Sequence, residues 1–243
     1  DLNNKEFDDI LTMNSWQYIF QYLFDNLVNK SKKNVIFGDK TPSYIYHLPL
    51  LFRIFPNAKF LHIIRDPRDQ AVSAKKAWDK SIYLSASNWY KSIISVKNFV
   101  AGNNINYIEL KYEELITNPK TLLNKIFSFL DLEFNANFLM FDETVENLGE
   151  AKGLKSIKNN NFNKFRKNLS SQEIKKIESL TFPIINSLRY SLDNKIDRNH
   201  QLNKIELFAY KVHDFTTNCL FHIKDKGLLK GLVYLRGLSQ SNI

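Results

Sequence analysis

An arginine stands at a position that is typical of an anion-binding site. Arg65 directly follows the apolar run Lys59–Ile64, which has the pattern of a buried strand, and Asp66 is placed to cap the helix that comes next. A guanidinium between a strand end and a helix N-terminus can offer paired N–H donors to a planar oxyanion. Ser73, eight residues further on, would by itself be an ordinary helical serine. The alternative is a structural salt bridge from Arg65 to Asp66 or Asp69.

A tyrosine follows a second strand-like segment. Tyr112 comes directly after Asn106–Lys111, and Glu113 and Glu114 follow it. An interior aromatic residue whose hydroxyl reaches water is one interpretation of Tyr112. Adjacent carboxylates at a helix start usually complement the helix dipole, so we do not assign acid–base chemistry to the two glutamates.

The elements that would position these residues alternate between strand-like and helix-like patterns. The predicted strands are Asn34–Gly38, Lys59–Ile64 and Asn106–Lys111. The predicted helices are Ser15–Lys30, His47–Phe55, Ser85–Ala101, one that Asp66 caps, and one that Asn118 caps and Pro119 opens. This order predicts an α/β fold with a central parallel sheet flanked by helices. Ligands of such sheets bind beyond the carboxyl ends of the strands, where Arg65 and Tyr112 are predicted to lie.

The C-terminal half carries no further strand signal. Gly149–Asn168 is basic, rich in asparagine and aperiodic, and it predicts a long loop that is either functional or disordered. Ser170 and Glu173 have the spacing of a capping box at the start of the next helix. We predict one α/β domain over residues 1–193 and a helical extension over residues 194–243 that packs on the same domain.

Composition limits the functional classes. The 243 residues contain a single cysteine, Cys219, which excludes a disulfide framework and any multi-cysteine metal site, and we expect no metal cofactor. No apolar run has the length of a membrane span and no signal peptide is visible, so we expect a cytoplasmic protein without a membrane span. The net charge of +9 favours an anionic partner, although lysines on a solvated surface are an alternative explanation.

Three segments together resemble the sulfotransferase family, whose members use 3′-phosphoadenosine 5′-phosphosulfate (PAPS) as donor and release 3′-phosphoadenosine 5′-phosphate (PAP). The segments are Gly38-Asp39-Lys40-Thr41-Pro42, Arg65-Asp66-Pro67-Arg68-Asp69-Gln70-Ala71-Val72-Ser73 and Tyr112-Glu113-Glu114-Leu115, the last followed by Asn118-Pro119. Their order and spacing match the family over residues 34–132. The resemblance implies a three-layer fold related to nucleotide kinases, and transfer of a sulfuryl group from PAPS to a hydroxyl or amine acceptor.

The resemblance also implies roles for individual residues. Arg65 and Ser73 would bind the 3′-phosphate of the donor, and Tyr112 would lie near its adenine. Lys40 matches a lysine that family members place at the bridging oxygen between sulfur and phosphate. Because negative charge builds on the leaving phosphate, a cation there stabilises the transition state more than the ground state. Lys40 is therefore the predicted catalytic residue.

The basic loop carries the last part of the resemblance. Phe165-Arg166-Lys167 resembles an aromatic–basic pair in the loop that closes over the donor in family members, and Lys158 falls near the basic cluster of that loop. Lys158 and Arg166 are therefore predicted to bind the donor. A flexible segment rich in asparagine and lysine is the alternative for both.

The sequence departs from the family pattern in two places. Pro42 stands where cytosolic members have a histidine base, and His47 lies too far along the chain to align with it. His62 falls inside a predicted strand, which favours a core histidine. The family's phosphate-binding loop on the first strand is not found in residues 1–33. These departures, and a start without methionine, favour an N-terminally truncated chain with low activity of its own.

Two other functions are open at this point. The missing loop makes a non-catalytic module that binds PAP or PAPS the second hypothesis. A basic nucleic-acid-binding protein is the third, and it requires basic residues gathered on one surface with interleaved aromatic residues. Lys40 and Arg65 instead follow predicted strands, where a small ligand reaches them, so we expect a nucleotide donor and a hydroxyl- or amine-bearing acceptor, and no nucleic acid.

Overall fold

The computed structural model describes residue 36, residues 38–139 and residues 160–227 of the 243. These described residues belong to two compact units, one drawn from Asp1–Phe60 and Asn98–Asn106, and the other from Leu61–Lys97 and Tyr107–Ile243. Among them, no helix is both long enough and apolar enough to cross a membrane.

Two predicted elements near the start of the chain cannot be compared in full. The predicted helix Ser15–Lys30 lies outside the described residues. Of the predicted strand Asn34–Gly38, the structure describes Ile36 and Gly38, and both are exposed. Neither residue lies in a strand, so the prediction is wrong at its two described positions.

The first unit contains the segment that carries Lys40. A 3-10 helix, Pro42–Tyr46, and helix α1, Leu48–Ile54, follow that segment. His47 lies between the two and is the residue before α1, so the helix begins one residue later than predicted. The side chain of Lys40 is exposed.

Most of the sheet belongs to the second unit. Strands β1, Phe60–Ile64, and β2, Tyr107–Lys111, pair in parallel and form the sheet of the described residues. Both strands confirm the predictions from sequence, and each begins one residue later than predicted. The predicted burial of this strand is found at Ile64 but is wrong at Ile63, which is 45% exposed. Successive side chains of a strand point to opposite faces, and the face that carries Ile63 is uncovered at this position.

Two helices carry the chain from β1 to β2. Helix α2, Pro67–Trp78, begins directly after β1, and helix α3, Ile82–Ala101, leads back to β2. Asp66 caps α2 as predicted, since its carboxylate accepts the backbone N–H of Arg68 at 2.9 Å. Parallel strands require a crossover connection of this kind. The predicted α/β fold class is confirmed.

Strand β2 continues directly into two helices. These are α4, Tyr112–Thr117, and α5, Pro119–Phe129, and a 3-10 helix, Ala136–Leu139, comes after them. Helix α5 buries the apolar face that its sequence predicts, with Leu122, Leu123, Ile126, Phe127 and Leu130 clustered around Leu110 of β2. Pro119 begins α5 as predicted, but the side chain of Asn118 makes no capping hydrogen bond.

Three helices follow residue 160. They are α6, Phe165–Asn168, α7, Ser171–Thr181, and α8, Ile184–Ser187, and the predicted capping box of Ser170 and Glu173 begins α7. The prediction of an aperiodic loop over Gly149–Asn168 is wrong at its C-terminal end. Phe165, the first residue of α6, is 0% exposed and packs in a core cluster with residues of α2 and α7. Lys158 lies outside the described residues.

The last described helix is α9, Lys204–Lys226, inside the predicted extension. Its Asp214 accepts the backbone N–H of Ser81 at 2.7 Å, and its Glu206 pairs with Lys176 of α7 at 2.7 Å. The described residues 194–203 form no helix. The boundary between residues 1–193 and 194–243 stays a prediction.

We expect the stability of the protein to depend on pH through His62. Its ring in β1 is mostly buried, and its Nδ1 lies 2.6 Å from the hydroxyl of Tyr107, which in turn donates to Glu109 at 3.1 Å. Burial lowers the pKa of His62 below its ordinary value, and the carboxylate of Glu109 only partly opposes this. The unfolded chain therefore binds the proton more readily, so stability is lost as pH falls below the ordinary histidine pKa of about 6.5.

Replacing His62 by glutamine is expected to reduce this loss of stability between about pH 7 and pH 5. Glutamine does not titrate in this range, and it keeps an N–H donor for the oxygen of Tyr107. Urea unfolding at a series of pH values measures the effect. His200→Gln is the matched control, because His200 is exposed. An identical pH dependence for the wild type and His62→Gln would contradict the prediction.

Candidate functional site

The structure places Arg65 and Tyr112 together at the carboxyl ends of the two paired strands. The central carbon of the Arg65 guanidinium, Cζ, lies 4.8 Å from the centre of the Tyr112 ring. Asn161 contacts both: its backbone oxygen and its Oδ1 accept from Arg65 at 3.0 and 3.3 Å, and its Nδ2 donates to the Tyr112 hydroxyl at 2.8 Å. We call Arg65, Tyr112 and Asn161 the strand-end cluster.

The Nε of Arg65 is buried and has no acceptor among the described residues. The backbone of Arg65 is held in place, since its carbonyl oxygen accepts the indole N–H of Trp89 at 3.0 Å. Leaving a buried N–H without an acceptor costs roughly 1–3 kcal/mol. The described contacts of Arg65 therefore leave one buried hydrogen-bond donor unused.

The salt bridge considered as the alternative for Arg65 is not found. Asp66 pairs with Arg68, and Asp69 accepts the backbone N–H of Phe165 at 2.9 Å. Within the described part of the chain, neither carboxylate forms an ion pair with Arg65.

Arg68 is the most important residue that the sequence analysis missed. Its side chain is 1% exposed, and its Nε and one terminal nitrogen bond both carboxylate oxygens of Asp66, at 3.0 and 2.6 Å. Its other terminal nitrogen bonds Glu178 of α7 at 2.6 Å. Such a buried pair is stable only while both signs of charge are present. Arg68 therefore fixes the start of α2, and with it the backbone next to Arg65, against α7.

Arg68 carried one weak signal in the sequence, because it lies between two acidic residues in the segment that also contains Arg65. Its second partner could not be found in this way. Glu178 lies 110 residues further along the chain. The backbone N–H groups of Asp193 and Asn194 also donate to Glu178, at 2.8 and 3.1 Å, and complete its hydrogen bonding.

Glu113 connects the ends of both strands to the C-terminal part of the unit. One of its carboxylate oxygens accepts the backbone N–H of Asp66 at 2.9 Å, and the other accepts the hydroxyl of Tyr190 at 2.9 Å. Burial raises the pKa of Tyr190, and the charge of Glu113 raises it further, so the phenol stays protonated as a donor. Glu113 thus has a defined structural role beyond the dipole interaction expected from sequence.

Asp69 is buried close to the positive charge of Arg65. Burial raises its pKa, while the hydrogen bond from the Phe165 backbone and the charge of Arg65 oppose this shift. Its Oδ2 has no hydrogen-bond partner among the described residues. A recess of about 340 Å³ opens at this place and is lined by Asp66, Arg68, Asp69, Glu113 and Tyr190, together with residues of the 162–163 and 189–191 segments.

The structure describes three of the other four predicted site residues. Ser73 is exposed on α2, about two turns after Arg65. Arg166 on α6 is 46% exposed and pairs with Asp193 at 2.7 Å. Lys40 is exposed in the first unit, and Lys158 lies outside the described residues. In the described part of the chain, no group of three or more histidine, cysteine, aspartate or glutamate side chains could hold a metal ion.

A family model described as Sulfotransferase family matches residues 3–136. The chain belongs to the sulfotransferase family. This match covers more than half of the chain and contains Lys40, Arg65, Ser73 and Tyr112. It confirms the resemblance that the three sequence segments indicated.

Curated sulfotransferases match over less than half of this chain. The omega-hydroxy-beta-dihydromenaquinone-9 sulfotransferases of Mycobacterium bovis and Mycobacterium tuberculosis are 26% identical over 120 residues, which is 42% of this chain and 30% of theirs. A putative protein-tyrosine sulfotransferase of Caenorhabditis briggsae is 26% identical over 117 residues, which is 44% of this chain and 41% of its own length. The match therefore spans less than half the length of these relatives.

Solved sulfotransferase domains share the fold of this chain. The sulfotransferase domain from the curacin biosynthetic pathway superposes with a TM-score of 0.55 at 19% identity, and the match covers 77% of this chain and 78% of that domain. The domain from the Synechococcus PCC 7002 olefin synthase gives a TM-score of 0.54 at 21% identity and covers 72% and 64%. At this level of identity, the comparison supports the fold alone.

Proposed function

We propose that this sulfotransferase-family chain binds PAPS and transfers its sulfuryl group to a hydroxyl acceptor, with release of PAP. The observation that carries the proposal is the meeting of Arg65 and Tyr112 at the carboxyl ends of the paired strands, where the guanidinium Cζ lies 4.8 Å from the centre of the tyrosine ring. Phosphate oxygens accept paired hydrogen bonds from a guanidinium. The cluster also lies at the edge where ligands of parallel sheets bind.

The strand-end cluster would bind the nucleotide part of the donor. Arg65 would bind the 3′-phosphate, with Ser73 as an additional donor, and Tyr112 would lie near the adenine. The contacts of Glu113 and Arg68 support this assignment because they hold Asp66, the residue after Arg65. Asn161 holds one terminal nitrogen of the Arg65 guanidinium. Preorganised donors of this kind bind an anion without first having to be ordered.

Lys40 is proposed to act on the leaving group. In the reaction the bond between sulfur and the bridging oxygen of PAPS breaks, and a bond forms between sulfur and the acceptor oxygen. The electron pair of the broken bond stays on the phosphate of PAP, and the acceptor loses its proton. An ammonium group near the bridging oxygen stabilises the charge that builds there. The residue that takes the acceptor proton is not assigned.

Arg166 and Lys158 are proposed to cover the bound donor. The ion pair of Arg166 with Asp193 is nearly half exposed on the arginine side. Exposed ion pairs contribute at most about 1 kcal/mol, so the guanidinium can exchange Asp193 for a phosphate at little cost.

The names of the relatives favour an oxygen acceptor. The mycobacterial proteins are named for a hydroxylated dihydromenaquinone, and the Caenorhabditis briggsae protein is named for protein tyrosine. Both names specify a hydroxyl group, so we favour a hydroxyl over an amine acceptor for this chain. The cytoplasmic location expected from the sequence stays a prediction.

A non-catalytic module that binds PAP or PAPS is the second candidate. It is favoured by Pro42, which stands where cytosolic family members have a histidine base. An enzyme and a non-catalytic module would both bind PAP, but only the enzyme would transfer a sulfuryl group.

Replacing Lys40 by glutamine is expected to slow sulfuryl transfer about tenfold, because an exposed ammonium contributes about 1.5 kcal/mol through a charge-assisted hydrogen bond. The measurement uses radiolabelled PAPS with the full chain and a panel of phenols and aliphatic alcohols. Calorimetry should show unchanged PAP binding. Lys40→Arg is the matched variant and should keep most of the activity. Binding of PAP without any transfer by the wild type would instead establish the non-catalytic module.

A further inference from the structure

Helix α9 exposes an apolar strip to solvent. Ile205, Phe208, Val212 and Phe215 are between 45% and 81% exposed, and we call them the α9 strip. Their spacing of three, four and three residues places them on one face of the helix. Apolar side chains that lie exposed together on one face are a feature of interaction surfaces.

Over residues 206–214, the other side of α9 faces the protein. Glu206 and Tyr210 contact Lys176 of α7, and Asp214 accepts the backbone N–H of Ser81. These contacts fix the rotation of the helix about its axis. The α9 strip therefore cannot turn inward without breaking them, and it is presented outward by the fold itself.

Lysines border the α9 strip. Lys204 lies one turn before Phe208 and Lys211 lies one turn before Phe215, and both lysines are exposed. The acidic residues of α9 whose side chains are described, Glu206 and Asp214, are engaged on the opposite side by Lys176 and the Ser81 backbone. The described part of the strip thus combines apolar and cationic groups without a carboxylate.

We infer that the α9 strip docks the protein on the surface of an anionic lipid membrane. Its phenylalanines would enter the boundary between headgroups and acyl chains, and its lysines would contact lipid phosphates. A second copy of this chain is a poorer occupant, because pairing two strips brings lysines together with no carboxylate of the strip to receive them. The inference is independent of the proposed donor chemistry.

The full chain is tested by cosedimentation with vesicles of phosphatidylcholine alone and of phosphatidylcholine mixed with an equal weight of phosphatidylglycerol. We expect binding to the mixed vesicles and little binding to phosphatidylcholine. Phe208→Gln combined with Phe215→Gln should lower the partition coefficient at least tenfold, because the variant lacks the two aromatic side chains that would be buried in the membrane. Glutamine maintains the helix and both side chains are exposed, so circular dichroism should be unchanged.

Charge variants separate the strip from general attraction of a basic protein. Lys204→Gln combined with Lys211→Gln should lower binding to the mixed vesicles about tenfold. Lys120→Gln combined with Lys125→Gln removes the same charge from exposed positions on α5 and should bind within about twofold of the wild type. The inference is overturned if the phenylalanine variant binds the mixed vesicles as well as the wild type does, or if the wild type binds both vesicle types equally. It is also overturned if the wild type binds no vesicles and forms a dimer that the phenylalanine variant does not form.

Discussion

Arg65→Ala is expected to lose most of the protein's preference for PAP over adenosine 5′-phosphate, a loss of about ten- to several-hundred-fold. The two nucleotides differ by the 3′-phosphate, which is the group that Arg65 is proposed to bind. Each charge-assisted hydrogen bond contributes roughly 1.5–3 kcal/mol. Calorimetric titration of both nucleotides against the wild type and the variant measures the preference directly.

The fold should survive this substitution, because Arg65 is only partly buried and its neighbours are held by other contacts. Arg198→Ala is the matched control, since Arg198 is an exposed arginine of the same unit. It removes the same charge and should leave the preference unchanged. A folded Arg65→Ala protein that keeps the full preference for PAP would show that the 3′-phosphate binds elsewhere.

Arg68→Ala is expected to lower the free energy of unfolding by about 3–5 kcal/mol. In the wild type, the guanidinium of Arg68 bonds the carboxylates of both Asp66 and Glu178. The substitution leaves these two carboxylates in the interior without a cation. It also removes the group that lies 4.0 Å from the centre of the Phe165 ring. Urea unfolding followed by circular dichroism gives the free energy.

Two further variants make this result specific. Arg166→Ala breaks an ion pair that is 46% exposed on the arginine side, and it should cost at most about 1 kcal/mol. Arg68→Lys keeps a positive charge but cannot donate to both oxygens of Asp66, so its loss should fall between those of the two alanine variants. Similar losses for Arg68→Ala and Arg166→Ala would show that the buried network contributes little to stability.

The local elements of this chain are predictable from its sequence. The strands β1 and β2, the cap of α2 by Asp66 and the capping box at Ser170 all agree with the sequence patterns. Apolar periodicity and capping residues act over a few neighbouring positions, so they are visible without a structure. The sequence analysis did not predict α6 for the same reason: the helix buries one aromatic side chain, Phe165, and a single apolar residue forms no periodic pattern.

The position of Arg65 was also predictable, because a polar residue that follows a buried strand must lie at the edge of the sheet. The residues that Arg65 contacts could not be predicted. Asn161, which bonds both Arg65 and Tyr112, lies 96 residues after the arginine in an asparagine-rich segment without any periodic pattern. No sequence rule selects Asn161 over its neighbours Asn159 and Asn160.

The sequence alone therefore determines the family, the α/β class and the strand end at which Arg65 and Tyr112 lie. The tertiary structure decides which partners these residues have. Arg68 meets Glu178 across 110 residues, and Glu113 meets Tyr190 across 77. The outward orientation of the α9 strip likewise depends on contacts with α7 and with Ser81. A charged or apolar side chain specifies that it needs a partner, but the path of the whole chain decides which group can reach it, because such contacts are made through space.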